Sequence, residues 1–251
     1  MVPDADTVYR LIKPEEVLSD FVYSFSALKN VSPINDGVVI PNGRVDLIFT
    51  ITDKQQFRVG LLGLETKPKV VNMNFPALFS VNFNPLAIEY IFQDNIAGIL
   101  NTGKELPVGF WDFSADDLND FDACCKKASQ KIQSLLPSTI DERKRQLFKL
   151  IFAANGEISV KELSEQLSWS DRQINRYFNK QFGVSLKTYC NILRFQASLP
   201  YIKEGELYPQ LNFTDQSHFI KEIRKFSGVS PKELHKNEND RFLQFLMYNK
   251  E

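Results

Sequence analysis

The chain has 251 residues, 43% hydrophobic and 24% charged, which is long enough for two globular cores and ordinary in composition. No apolar run reaches the ~18 residues of a membrane span, and the acidic start Met1–Asp6 lacks a basic-then-apolar secretory pattern. Three cysteines, two of them adjacent at Cys124 and Cys125, give no disulfide framework and no metal spacing, so a reducing cytoplasm fits. The net charge of −1 conceals an asymmetry: residues 141–251 hold 18 Lys and Arg against 14 Asp and Glu, and the preceding residues hold 12 against 17. The halves therefore carry +4 and −5, and the basic excess lies where a polyanion would have to bind.

From Asp20 to about Asn84 the pattern is of strands. Phe21–Ala27 alternates, Val45–Thr52 is rich in β-branched and aromatic residues, and Phe57–Leu62 and Leu78–Phe83 follow. Turn signals separate them at Asn35-Asp-Gly37, Pro41-Asn-Gly43, Thr52-Asp-Lys54 and Lys67-Pro68. Short strands at this spacing predict a β-barrel or sandwich. Phe49, Phe57, Phe79, Phe83 and Trp111 either fill its core or line a small-molecule pocket. Arg44 and Asp46, flanking one strand, form an internal ion pair or contact a ligand.

Pro85–Leu100 and Ser114–Leu135 read as helices, the second with Ser114 as N-cap. Leu118, Phe121, Cys125, Ala128, Ile132 and Leu135 form one stripe at helical spacing, which serves as a dimer seam or packs on the strands. Pro137-Ser-Thr139 breaks the pattern and divides the chain into residues 1–138 and 139–251. A helix over Asp141–Phe152 then stops at Asn155-Gly156.

The rest reads as one device written twice. Ser159 to Leu167, a polar turn, and Asp171 to Phe182-Gly183 make the first copy; Leu207 to Leu211, a turn, and Asp215 to Phe226-Ser-Gly228 make the second. Each is a short apolar-periodic helix, a tight turn and a second helix, the arithmetic of helix-turn-helix units. Capping boxes at Ser159/Glu162, Ser170/Gln173 and Ser230/Glu233 mark the helix starts. In the first copy Ile174, Phe178 and Phe182 face inward, leaving Arg172, Gln173, Asn175, Arg176 and Asn179 outward. In the second, Phe219 and Ile223 face inward and Gln216, Ser217, His218 and Lys221 outward. These side chains suit base reading, since Arg pairs bidentately with guanine and Asn or Gln with adenine. Lys180, Lys187, Arg224 and Lys225 are candidates for phosphate contact.

Ile192–Leu199, Phe213–Lys221 and Phe226-Ser-Gly-Val-Ser-Pro231 together resemble the signature of AraC/XylS-type transcription regulators over roughly residues 140–236. Pro41–Phe49 and Phe83-Asn-Pro-Leu86 resemble the β-rich N-terminal domain of some such regulators. The resemblance implies an α+β protein of two domains: a cupin-like barrel that senses a small molecule or pairs subunits, and an all-α DNA-binding domain with tandem helix-turn-helix units. It implies double-stranded DNA as partner, with a small-molecule effector, a second copy and RNA polymerase as further ones. Both histidines, His218 and His235, lie in the C-terminal half, and the sequence has no Gly-rich phosphate loop, Gly-x-Ser-x-Gly elbow or Cys–His pair, so neither a His-ligated metal in the barrel, nor a cofactor, nor catalysis is expected. By motif match it places Arg172, Asn175 and Arg176, and Gln216, Ser217 and Lys221, toward the groove. The chain departs from the pattern between Gly205 and Leu211, where the first helix of the second unit is short and holds Pro209. Pro200 interrupts the connecting helix, where a kink or a cost of ~3 kcal/mol is expected. The second unit is thus either a compact reader or a structural support for a protein-interaction regulator that does not bind DNA independently.

Overall fold

The computed structural model describes residues 8–29, 34–73, 75–211, 213–237 and 241–242. The acidic start behind the secretory argument lies outside them, as does Asn212 in the second copy. Eight strands and eight α-helices are found among the described residues. The strand-rich first part and helical second part make the α+β protein expected from the sequence.

The strands are β1 (Val8–Ile12), β2 (Val22–Lys29), β3 (Ile34–Val39), β4 (Val45–Ile51), β5 (Phe57–Leu62), β6 (Lys69–Met73), β7 (Ala77–Phe83) and β8 (Gly103–Leu106). Six pair in the order β1-β2-β7-β4-β5-β8, and β3 and β6 form a separate two-stranded ribbon; all the pairings are antiparallel. The four strands expected from the sequence are all present, and β1, β3, β6 and β8 were missed. Strand β3 runs through Asn35-Asp-Gly37, which reads as a turn: Asp36 takes a left-handed φ of 57° and the register shifts between Ile34 and Gly37. The turn signal is used as a bulge that keeps the strand paired.

Alternation sends Phe25, Ala27, Val45, Leu47, Phe49, Val59, Leu61, Phe79, Val81 and Phe83 to one face of the large sheet, all of them buried. Phe113 stacks 4.3 Å from Phe49 and 5.9 Å from Phe79, so these aromatics are core on this face. Phe57 is half-buried at its edge. The stripe Leu118, Phe121, Cys125, Ala128 and Ile132 closes the core against β7, with Leu135 half-buried, so it packs on the strands and is no dimer seam. Desolvation pushes the Cys124, Cys125 and Cys190 thiols up to about 12, which leaves all three protonated at neutral pH.

The two helices expected before Pro137 are both shorter than the pattern suggests. α1 covers only Leu86–Tyr90. Gln93 then turns left-handed, and the backbone N–H of Ile96 donates to Gln181 O at 2.9 Å, a tertiary partner in place of a helical one. α2 covers Phe121–Leu135, capped by Asp120, whose carboxylate accepts from the N–H groups of Asp122 and Ala123. Ser114 N donates to the Asp117 carboxylate at 2.7 Å and caps no helix; only a 3-10 turn over Asp116–Asn119 follows, with Ala115 at its N-cap.

Beyond Pro137 lie α3 (Glu142–Ala153), α4 (Val160–Leu167), α5 (Asp171–Phe182), α6 (Leu186–Lys203), α7 (Gln216–Ser227) and α8 (Pro231–Lys236). All three capping boxes form with both reciprocal hydrogen bonds. Two expectations fail. α6 runs unbroken through Pro200: the missing N–H frees only the Gln196 carbonyl, and the proline's own carbonyl still accepts from Glu204 N at 3.1 Å. Leu207–Leu211 forms no helix at all: Gly205 ends the preceding one at φ +86°, and too few residues remain around Pro209 to nucleate another.

Gly156 closes α3 at φ +76°, and a Cβ there would fall 2.2 Å from the carbonyl oxygen of Cys190 on α6. Gly156→Ala therefore meets both a left-handed backbone cost of ~1–2 kcal/mol and a backbone clash. Gly98→Ala, with nothing within 4 Å, meets neither. Urea denaturation of the two variants checks this: Gly156→Ala lowers the midpoint markedly and Gly98→Ala leaves it near wild type.

Candidate nucleic-acid interface

α4, the three-residue turn Ser168-Trp-Ser170, and α5 form a complete helix-turn-helix. Ser168 supplies the tight reversal at a left-handed φ of 50°, and the Ser170 hydroxyl caps α5 by accepting from Gln173 N. The back of α5 is held by rings: Phe178 and Phe182 lie 5.8 and 5.9 Å from Phe148, and Phe178 lies 5.5 Å from Tyr189. Ile174, Phe178 and Phe182 are 0% exposed, which fixes which side of the helix faces outward.

Arg172, Gln173, Arg176 and Asn179 are exposed on that front, and Asn175 is half-buried. Their side chains are not equally available. No hydrogen bond or ion pair engages the guanidinium of Arg172 or Arg176 among the described residues. Asn175 donates to Asp171 O at 3.0 Å and Asn179 donates to Asn175 O at 2.8 Å, so both amides are parked on their own helix and keep their carbonyl oxygens free. The Gln173 carbonyl accepts from Ser170 N and Oγ at 3.0 and 2.8 Å, which makes it half of the cap. Arg176, Gln173 and Lys180 surround an open depression floored by Trp169 and Tyr177, whose rings lie 5.4 Å apart.

The second unit is built differently. α7 is capped by Asp215, which accepts from His218 N at 2.8 Å, and buries Phe219, Ile223 and Phe226. Gln216, Ser217 and Lys221 are exposed. Gln216 donates to Leu207 O at 2.9 Å, tying the helix start to the segment that lacks its own helix. His218 is half-buried, its Nδ1 accepting from Thr214 N at 3.3 Å and its ring set against Phe213, so it is the least available of the nine. Lys180, Lys187, Arg224 and Lys225 are exposed around the two helices, with Lys225 leaning toward Glu222 at 3.6 Å.

One group escaped the sequence reading. Glu89 on α1 accepts from the Tyr177 hydroxyl at 3.1 Å and pairs with Lys144, while Gln181 donates to Asp94 O. Burial, reinforced by the Glu89 charge, pushes the Tyr177 phenol far up, so it remains a donor. A Cβ on Gly183 would lie 3.0 Å from Ala97 Cα. The first reading unit is thereby clamped to the strand-rich part of the chain. No local pattern marks Glu89, because its partners are 55 and 88 residues away.

Residues 163–237 match the family described as helix-turn-helix domain. The chain carries an AraC-type helix-turn-helix domain. A domain of this type is a DNA-binding one. Among solved structures the chain is similar to a probable AraC family transcriptional regulator from Rhodopseudomonas palustris, at 21% identity over 39% of this chain and 97% of that one, with a TM-score of 0.34. It is also similar to ToxT from Vibrio cholerae, at 12% identity over 92% and 97% of the two chains, TM-score 0.44. A structure of ToxT with unsaturated fatty acid bound matches at 12% identity over 93% and 96%, TM-score 0.41. Likeness at this level says nothing of ligand or operator. A comparison with curated proteins gave no match.

Because Gln173 completes a cap, its loss acts on the fold before it acts on recognition. Gln173→Ala is expected to lower thermal stability by an amount equivalent to roughly 0.5–2 kcal/mol, and Gln173→Glu, which keeps the accepting oxygen, to restore most of it. Differential scanning calorimetry of the two variants measures the difference.

Proposed function

We propose that the protein reads a specific DNA sequence with α5 as the principal recognition helix and α7 as the second. The observation that carries this is the pair of unengaged guanidinium groups, Arg172 and Arg176, one helical turn apart on the exposed front of a helix whose back is locked by Ile174, Phe178 and Phe182. In this reading Arg172 and Arg176 take guanine edges, and Asn175 takes an adenine after releasing its intrahelical bond. Gln216, Ser217 and Lys221 read the adjacent site, while Gln173, Asn179 and His218 support the helices or touch phosphate. Residues 139–251 form the DNA-binding part and residues 1–138 the regulatory part. A cytoplasmic setting follows from that role, and no helix among the described residues is long and apolar enough to cross a membrane. Pairing of two copies would double a basic excess that is small for one chain.

Effector sensing, in the same reading, belongs to the second face of the large sheet. There Ser24 donates to Asn82 at 3.0 Å, Ser26 and Ser80 share a hydrogen bond of 2.7 Å, and Asn82 donates to Asp46 at 2.6 Å. Desolvation holds Asp46 above the usual carboxylate range, against the opposing pull of the Asn82 hydrogen bond and of Arg44. Arg44 itself is engaged elsewhere, donating to Asn84 at 2.7 Å between the rings of Tyr23 and Phe152. The absence of a first helix in the second unit favours one rival: a regulator acting through protein contacts, with α7 as a support.

Gel-shift titration at several salt concentrations on a site obtained by random-sequence selection tests the principal reading. Arg176→Ala should weaken specific binding by roughly 1–3 kcal/mol and relax preference at one base position. Selection of no sequence by the wild-type protein, alone or paired, would instead support the rival. For Asp46 the sign is the reverse of an ordinary ion-paired carboxylate. Its raised folded value makes the ionised form a burden, so stability falls as pH rises through the interval between the unfolded and folded values. Asp46→Asn is expected to raise the melting temperature at neutral pH and flatten that dependence, as thermal melts from pH 4 to pH 8 would reveal.

A further inference from the structure

We propose that Val38 and Ile40, from the strand-rich part of the chain, are positioning residues for the second recognition helix, taking the place of the helix that the second unit lacks. The proposal rests on the reading of α7 as a DNA-binding element, and adds that its placement is set by the regulatory part of the protein.

In the first unit the stripe of α5 is covered from within the domain, with Leu163 and Leu167 of α4 buried beside it. The second unit has no helix between α6 and α7, and the side chains left there, Leu207 and Phe213, are only partly buried. Yet Phe219, Ile223 and Phe226 of α7 are 2%, 0% and 0% exposed. α6 supplies part of the cover through Ile192, Phe195, Leu199 and Ile202. Val38, at 8% exposed, and Ile40, at 0%, belong to the same cluster, which is separate from the main core. They come from the end of β3 and the residue just past it.

Five further contacts hold this segment in register with the second unit. Val38 N donates to Arg241 O at 2.6 Å, and Val38 bridges to Phe242, itself 1% exposed, in a parallel pairing. Gln196 of α6 donates to Pro41 O, and the Tyr189 hydroxyl donates to Gly43 O at 3.1 Å. A Cβ on Gly228, which ends α7, would sit 3.3 Å from Pro68 in the loop leading to β6. The ribbon thus shares a buried apolar cluster with α7 and approaches its C-terminal end. Leu234 of α8 is part of the same cluster, so removing Ile40 side-chain volume leaves a cavity in the cluster that buries α7 beside the cover that α6 and α8 retain.

Amide hydrogen exchange of the full-length protein carrying Ile40→Ala tests the packing without DNA. Amides of α7 should exchange roughly tenfold faster or more, those of α5 should remain at wild-type rates, and Ile40→Val should restore most of the protection. Equal acceleration in α5 and α7, or none in α7, would overturn the proposal. Footprinting and base-preference measurement on the selected site then separate it from the reading beneath it. Loss of discrimination confined to the half contacted by α7, matching Lys221→Ala at that half and sparing the Arg176 half, supports both. Faster α7 exchange with no change at either half would keep the packing role and refute α7 as a reader, and with it the positioning claim.

Discussion

A helix can present side chains to a groove only if its opposite face is anchored well enough to hold them still, and this division of faces governs the reading domain. α5 meets it with Ile174, Phe178 and Phe182 against Phe148 and Tyr189, all fully or almost fully buried. Each anchoring ring gains by leaving water, whereas Arg172 and Arg176 form no ion pair among the described residues and are exposed. An arginine already paired within the protein would have to give up that pair to bind a base, so unpaired guanidinia on a rigid helix are preorganised for the exchange.

Both α5 and α7 are also tied to the strand-rich part of the chain, by different devices. α5 is held through polar contacts, Tyr177 to Glu89 and Gln181 to Asp94, beside the close approach of Gly183 to Ala97. α7 is held through an apolar cluster that includes Val38 and Ile40. α6 joins the two units, but it is not the sole determinant of their spacing. A shift of the ribbon relative to the α1 segment would move one reading helix with respect to the other, which is the kind of bistable coupling an effector could bias.

Much of this was legible in the sequence because local rules decide it. The capping boxes at Ser159, Ser170 and Ser230 need only residues three apart, and the inward stripes need only helical periodicity. What stayed hidden depends on distant partners. The helix expected over Pro85–Leu100 stops early because Ile96 bonds to Gln181, and Asn35-Asp-Gly37 makes a bulge instead of a turn because β6 lies alongside to pair with it. The second copy deceived for a related reason: Leu207 to Leu211 carries apolar residues at a helical interval, but Gly205 and Pro209 leave no room for a nucleus. Gln173 and His218 face outward on a helical wheel, and a wheel does not show the hydrogen bonds that they accept from Ser170 and Thr214.

Electrostatics connects these features to the mode of binding. A balance of +4 over residues 141–251 is small for a protein that neutralises phosphates in the non-specific manner of strongly basic DNA binders. With little long-range attraction, affinity has to come from a few well-placed contacts, and well-placed contacts require rigid presentation. The clamp at Glu89 and the apolar cluster at Ile40 supply that rigidity from outside the reading units. Under the proposed function, such a design favours selectivity for one site over bulk DNA.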